Sequence, residues 1–323
     1  YTLSLDVCSS DLPNGMERRE GLAALALAAA GPERTSVVWI DLIAPDETEL
    51  KDTEAFIGSE LMTPKDAAEI ESSSRFYEDA NEIQLNAHFL QNAEKSWRPE
   101  PVTFVLHGDV LVTRRTGALR SFTELERRRK NSSVTWGAHE TFAALFDLRI
   151  DLDADIVEQM GREITQLNRD VNLNKAVGKE LLLRIDEKLD EAMLLRANIV
   201  DKQRTLAAVL KSERFPHAYR SNIRTLLRDI ASLLEHIAFG FERLEFLQNT
   251  ALGLLNIEQN KVIKIFTVAT VVFMPPTLVA SIYGMNFEHM PELAPTWGYP
   301  FALALMLLSS GFTLHIFKRK GWL

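Results

Sequence analysis

Apolar positions fall into three regimes along the chain. Short β-branched and aromatic runs come first. Val37–Leu42 (VVWIDL) followed by Ala44-Pro45-Asp46-Glu47-Thr48-Glu49 predicts a strand, a turn and an acidic helix start. Gln84–Leu90 alternates like a strand, and Val102–Leu106 and Val110–Arg114 flank His107-Gly108-Asp109, the pattern of a hairpin. Asp66–Phe76 is charged and helical in character, and helical patterning resumes from Phe122, so a mixed α/β domain extends to about Leu148. From Leu152 the strand signals stop. Asp155–Leu210 carries Leu, Glu, Arg, Lys and Ala at three-four spacing, Phe215-Pro216-His217 breaks it, and from Ala218 no proline occurs until Pro275. A continuous helix of that length would measure about 90 Å at 1.5 Å per residue. It is either a helical hairpin packed on itself or a stalk that enters a membrane.

The third regime is membrane-like. Ile265–Phe287 holds about 23 residues without formal charge, and a second uncharged run, Leu293–Phe317, follows a short acidic loop. Each meets the roughly 20 residues a helix needs to cross hydrocarbon. Lys261 and Lys264 precede the first span, and Lys318, Arg319 and Lys320 follow the second, whereas the loop carries Glu288 and Glu292 and no Lys or Arg. The positive-inside rule then puts both ends in the cytoplasm and the loop outside, with Tyr283, Trp297, Tyr299 and Trp322 as interfacial anchors.

Polar residues of the first span are not scattered. Asn260, Ile263, Thr267, Thr270, Met274, Thr277 and Ser281 step by three and four, which on a helix confines them to an arc of roughly 100°. Hydroxylated residues on one face serve helix packing in lipid or line a water-filled path; the stripe alone supports both. Met274-Pro275-Pro276 removes two backbone donors and predicts an interruption or kink.

Composition narrows the function. With 45 acidic and 36 basic residues the net charge is −9, which disfavours nucleic-acid partners. Residues 1–12 (YTLSLDVCSSDL) resemble the translation of a sequencing adapter and are expected to stand outside the fold, so the single cysteine, Cys8, carries no functional signal. The stretch from Gly21 to Ala30 is too short to span. There is no Gly-x-x-x-x-Gly-Lys motif to power a pump, no Cys/His zinc spacing, no enzymatic constellation and no resident cofactor, and neither span contains a carboxylate.

Tyr283-Gly284-Met285-Asn286-Phe287-Glu288, then Met290-Pro291-Glu292-Leu293, then Trp297-Gly298-Tyr299-Pro300 and the basic cluster before Trp322-Leu323 resemble the CorA family of magnesium and cobalt ion transporters. Ile257-Glu258-Gln259-Asn260 and the run from Phe273 to Ala280 extend the likeness, which covers the chain from about Val37. It implies an α+β membrane protein: an artefactual 1–12, a cytoplasmic α/β domain at 13–150, a helical stalk at 151–264, a pore-lining span at 265–285, an outer loop at 286–298, a second span at 299–317 and a basic tail at 318–323. It also implies a funnel-shaped homopentamer in the inner membrane. In the family the Gly-Met-Asn triplet forms the selectivity filter, a role carried to Gly284, Met285 and Asn286, with the Asn286 carboxamide as chief contact of a hydrated ion. Asn260, Met274 and Thr277 match pore positions, and Glu288 and Glu292 would draw cations to the outer mouth. Phe266 stands where the family places a leucine-like gate, but lies off the stripe.

Regulatory Mg²⁺ is implied as well, without residues to hold it. Arg224-Thr225-Leu226-Leu227-Arg228-Asp229 lacks the expected acidic pair, and Asp151, Asp153 and Asp155 read as capping and solvated acids of a helix start. The resulting expectation is influx of Mg²⁺, with Co²⁺ and Ni²⁺ as secondary substrates, down the electrochemical gradient. The alternatives are a zinc transporter of the related branch and a non-conducting, membrane-anchored metal sensor.

Overall fold

The computed structural model describes residues 2–8, 16–20, 37–62, 75–93, 96–131, 136–172, 178–285 and 297–321. Two compact units emerge: Tyr1–Leu173 with Leu183–Leu247, and Asn174–Leu182 with Gln248–Leu323.

The first unit is built on a seven-stranded sheet with the order β2-β1-β3-β7-β6-β5-β4. Its strands are β1 (Thr2–Cys8), β2 (Met16–Glu20), β3 (Val37–Ile43), β4 (Phe76–Glu78), β5 (Glu82–Ala93), β6 (Ser96–His107) and β7 (Val110–Arg115). All neighbours are antiparallel except β3 and β7, which pair in parallel with Trp39 opposite Leu111 and Ile40 opposite Val112. The β6–β7 hairpin turns at Gly108, whose φ of 55° is the left-handed value a two-residue loop requires.

Helix α1 (Glu47–Ile57) starts where the sequence signals it. The Asp46 carboxylate accepts from the Thr48 and Glu49 backbone N–H groups, and the Glu49 side chain accepts from the Asp46 N–H, a complete capping box. Phe56 and Ile57 of this helix pack on Ile40, Leu42, Val105 and Val112 of the sheet. A second core holds Phe89 and Phe104 of the sheet against Phe122 of α2 (Arg120–Lys130) and Phe142 and Phe146 of α3 (Ala138–Asn172), with ring centroids 4.9 to 6.3 Å apart. Helix α4 (Lys179–Lys211) joins this layer: Asn198 donates to the His88 carbonyl, and the His88 N–H donates to Asp201.

Several expectations change. Phe76, the end of the segment read as helical, begins β4, and residues 63–74 lie outside the described residues. The helical run from Asp155 to Leu210 is two helices, α3 and α4, and α3 passes through the expected boundary at 150/151 without a break. The sequence reading leaves Thr2–Cys8 out of the fold; here it pairs antiparallel with β3, as the alternation of Thr, Leu, Ser, Leu, Asp and Val allows. Asp151, Asp153 and Asp155 stand mid-way along α3 rather than at a helix start. Asp151 and Asp155 are exposed and Asp153 is buried.

Asp153 anchors a buried charge cluster. Arg149 Nη2 lies 2.7 Å from its Oδ1 and Lys202 Nζ of α4 3.0 Å from its Oδ2; the three side chains are 3%, 1% and 0% exposed. Lys202 also donates to Asn198 Oδ1. Burial pushes the Lys202 ammonium below the ordinary lysine range, the Asp153 charge opposes that and Arg149 reinforces it. Nearby, burial disfavours the Asp201 carboxylate, but hydrogen bonds from His88 and the charges of His88 and Arg75 outweigh it and hold the carboxyl below its usual value.

The second unit contains the end of α5 (Arg220–Tyr283), reached through a 3₁₀ turn at His217–Tyr219, and α6 (Gly298–Arg319). Both helices are long and apolar enough to cross a membrane. At 64 residues, α5 measures about 95 Å. Pro275 and Pro276 do not interrupt it: the helix continues to Tyr283.

Two cations share one anion in the Arg149–Asp153–Lys202 cluster, so the partners are not equivalent. Asp153→Ala leaves two buried cations uncompensated and is expected to cost about 3–5 kcal/mol, whereas Lys202→Met leaves a neutral pair and is expected to be tolerated. A depressed lysine means that the unfolded chain binds more protons between the folded and the ordinary pKa, so stability rises with pH through that window. Lys202→Met should flatten the rise. Thermal unfolding of the purified protein as a function of pH checks both, and a reversed order of the two variants would contradict the assignment.

Candidate functional site

Helix α5 has two distinct faces in its apolar half. Val268, Val271, Val272, Pro275, Pro276, Val279 and Tyr283 are half-buried and recur at three-four spacing. On α6 the half-buried positions are Gly298, Ala302, Met306, Ser309, Ser310, Thr313 and Phe317, again one helical face. The two faces are joined where the Ser310 hydroxyl donates to the Val272 carbonyl at 3.1 Å.

The polar stripe lies on the other side. Asn260, Ile263, Thr267, Thr270, Met274, Thr277 and Ser281 are all exposed, and their mean direction is roughly 150° around the helix from the α6-facing side. Within one chain, therefore, the stripe is not the contact between the two spans. The packing alternative that the sequence leaves open is thereby narrowed: among the described residues, α6 does not cover the stripe.

The threonine hydroxyls have a definite polarity. Thr267 donates to the Ile263 carbonyl at 2.8 Å, Thr270 to Phe266 at 2.9 Å and Thr277 to Phe273 at 2.7 Å. Each hydroxyl proton is thus committed to its own helix, which leaves oxygen lone pairs as the outward-facing function. These three threonines present acceptors, the polarity that the outward-pointing hydrogens of a hydrated cation match.

At its far end α5 closes tightly. The Gly284 N–H donates to the Ala280 carbonyl at 2.9 Å and the Met285 N–H to Ile282 at 3.3 Å. A Cβ at Gly284 would stand 3.0 Å from the Ala280 carbonyl oxygen, a contact with backbone that has no flexible side chain to yield. Met285 is about half exposed at 48%. Asn286, Glu288 and Glu292 lie outside the described residues. Among the described residues no group of three or more His, Cys, Asp or Glu side chains is arranged to hold a metal ion. The sequence reading gives the second span only Tyr299, as an interfacial anchor, and no site residue; the Ser309-Ser310 pair in the middle of an apolar run was the available signal for Ser310.

A family model described as "CorA-like Mg2+ transporter protein" matches residues 34–319. The chain belongs to the CorA-like Mg²⁺ transporter family. Relatives include the magnesium transport protein CorA of Wolinella succinogenes, 36% identical over 319 residues, covering 96% of this chain and 99% of that protein. The Escherichia coli magnesium transport protein CorA is 38% identical over 293 residues, or 89% and 92% of the two chains. Among solved structures, the complete CorA magnesium transporter of Methanocaldococcus jannaschii superposes with a TM-score of 0.81 at 18% identity, over 100% of this chain and 98% of that one. That likeness establishes the fold of a soluble α/β part, a long helix and two C-terminal spans. As a CorA family member with two candidate spans the chain is an integral membrane protein.

The two faces of α5 differ in a way that thiol chemistry reads directly. In a Cys8→Ser background, Thr270→Cys and Thr277→Cys should react with a small water-soluble thiol reagent in the assembled protein, and Val268→Cys and Val279→Cys should not. Protection of the first pair together with reaction of the second would reverse the assignment of the faces.

Proposed function

We propose that the chain is the subunit of a homo-oligomeric Mg²⁺ transporter in which copies of α5 line the ion path. The observation that carries this reading is the exposed stripe of hydroxyl acceptors turned away from α6, in a chain of the CorA family. Two helices cannot enclose a path, so the path requires several chains; the family resemblance supports five.

Mg²⁺ binds oxygen and sheds its water reluctantly. A path lined by acceptors takes the hydrated ion through hydrogen bonds donated by its water shell and avoids the cost of stripping it. In this reading Gly284, Met285 and Asn286 form the filter, and the lack of a side chain at Gly284 lets the backbone close against Ala280. Met274 forms an apolar constriction, Thr277 and Thr270 supply oxygens, and Asn260 closes the inner end. Glu288 and Glu292 raise the local cation concentration at the mouth. No carboxylate interrupts Ile265–Phe287, so the ion is not trapped by full charge inside the membrane. An inward-negative potential contributes roughly 4.6 kcal/mol per 100 mV for a divalent cation, enough to drive uptake without a nucleotide. Co²⁺, of similar charge and hydration, follows the same path. A non-conducting anchor has no use for hydroxyls on the face away from its partner helix, which argues against the sensor reading.

Proteoliposomes carrying the purified protein, held at an inside-negative potential with low internal Mg²⁺, should take up Mg²⁺. Asn286→Ala should reduce uptake severalfold at unchanged oligomer size. Absence of uptake by the intact oligomer would overturn transport; uptake indifferent to Asn286 would move the filter elsewhere.

A further inference from the structure

The prolines of α5 leave one backbone group without a partner, and α6 supplies it. In a helix the carbonyl of residue i accepts from the N–H of residue i+4, or of i+3 where the turn tightens. For Val272 those donors would come from Pro276 and Pro275, and proline has no N–H. Val271 loses only its i+4 donor and Phe273 only its i+3 donor, because Met274 and Thr277 keep theirs. Val272 is the one carbonyl of the span deprived of both. In hydrocarbon no water compensates.

Ser310 stands opposite it, donating at 3.1 Å. The neighbouring α6 hydroxyls behave differently. Ser309 donates to the Met306 carbonyl and Thr313 to the Ser309 carbonyl, both within their own helix. Of these three hydroxyls Ser310 alone crosses to α5, and it meets the carbonyl that lacks a donor.

We propose that Ser310 is a positioning residue for the ion path. Its hydroxyl replaces the missing proline donors and fixes the rotation and depth of α5 at the proline pair. Met274 and Thr277, immediately beside the pair in sequence, project on the exposed face. Freed from Ser310, the Val272 carbonyl has to find another donor, and the helix must bend or admit water to provide one; either movement displaces Met274 and Thr277. The proposal rests on the transport reading above, since it assigns Ser310 a role in placing the residues that line that path.

A double-mutant cycle tests it in the full chain. Ser310→Ala, Pro276→Ala and the double variant are compared for Mg²⁺ uptake into proteoliposomes and for the thermal midpoint of the purified protein. Ser310→Ala should lower uptake by about three- to tenfold, the range that interhelical hydrogen bonds in membranes span, and lower the midpoint; Ser310→Thr, which keeps the hydroxyl, should restore both. Pro276→Ala restores an N–H to serve Val272, so in that background Ser310→Ala should change neither. Equal losses in the two backgrounds, no loss in the native one, or failure of Ser310→Thr to restore function would overturn the proposal. Coupling in the midpoint with uptake unchanged would overturn the positioning role. Coupling in the midpoint of a protein that moves no ion would instead locate the failure in the transport reading.

Discussion

In hydrocarbon, a backbone carbonyl without a donor has no water to turn to, and the membrane unit is arranged around that constraint. Helix satisfies most of it at once. Thr267, Thr270 and Thr277 of α5 follow the same rule: each places its proton on a carbonyl of its own helix. The proline pair is the exception, and the helix passes through it intact while a hydroxyl from α6 meets the most deprived carbonyl. Saturating these donors has a second effect. It leaves the three threonines of the exposed face as acceptors, which suits a cation that keeps its water.

The sheet-bearing unit meets the related problem of burying polar groups among apolar ones by pairing charges. Asp41 accepts from Arg115 and from Thr113, and Trp39 donates to Thr113, a chain of bonds across β3 and β7 beneath α2. Arg115 in turn lies over the Phe122 ring. Asp153 does the same work between α3 and α4, where it compensates two cations. Such buried clusters are poor sources of net stability but respond strongly to the loss of one partner. They show how acids that look like surface ligands in a sequence are used to hold helices together.

That use bears on regulation. The acids at 151, 153 and 155 divide between solvent and core, with Asp151 near Arg128 at 3.7 Å. Among the described residues of one chain no acidic group is gathered for a metal.

Features governed by local periodicity were legible in the sequence: the two spans, the β6–β7 hairpin, the capped start of α1, and the three-four stripe of Asn260, Ile263, Thr267, Thr270, Met274, Thr277 and Ser281. The family itself was legible too, in the motif from Tyr283 to Pro300. Other features depend on how two distant segments are turned toward each other, and periodicity of one segment carries no information about that. The parallel pairing of β3 with β7, the burial of Asp153 by Lys202, and the division between α3 and α4 are of this kind. So is the direction of the stripe. The sequence determines that α5 has a polar face, because side-chain spacing on a helix is fixed by its pitch. Only the tertiary structure decides that this face points away from α6 and that Ser310 reaches Val272, because both depend on the relative rotation of two helices about their axes.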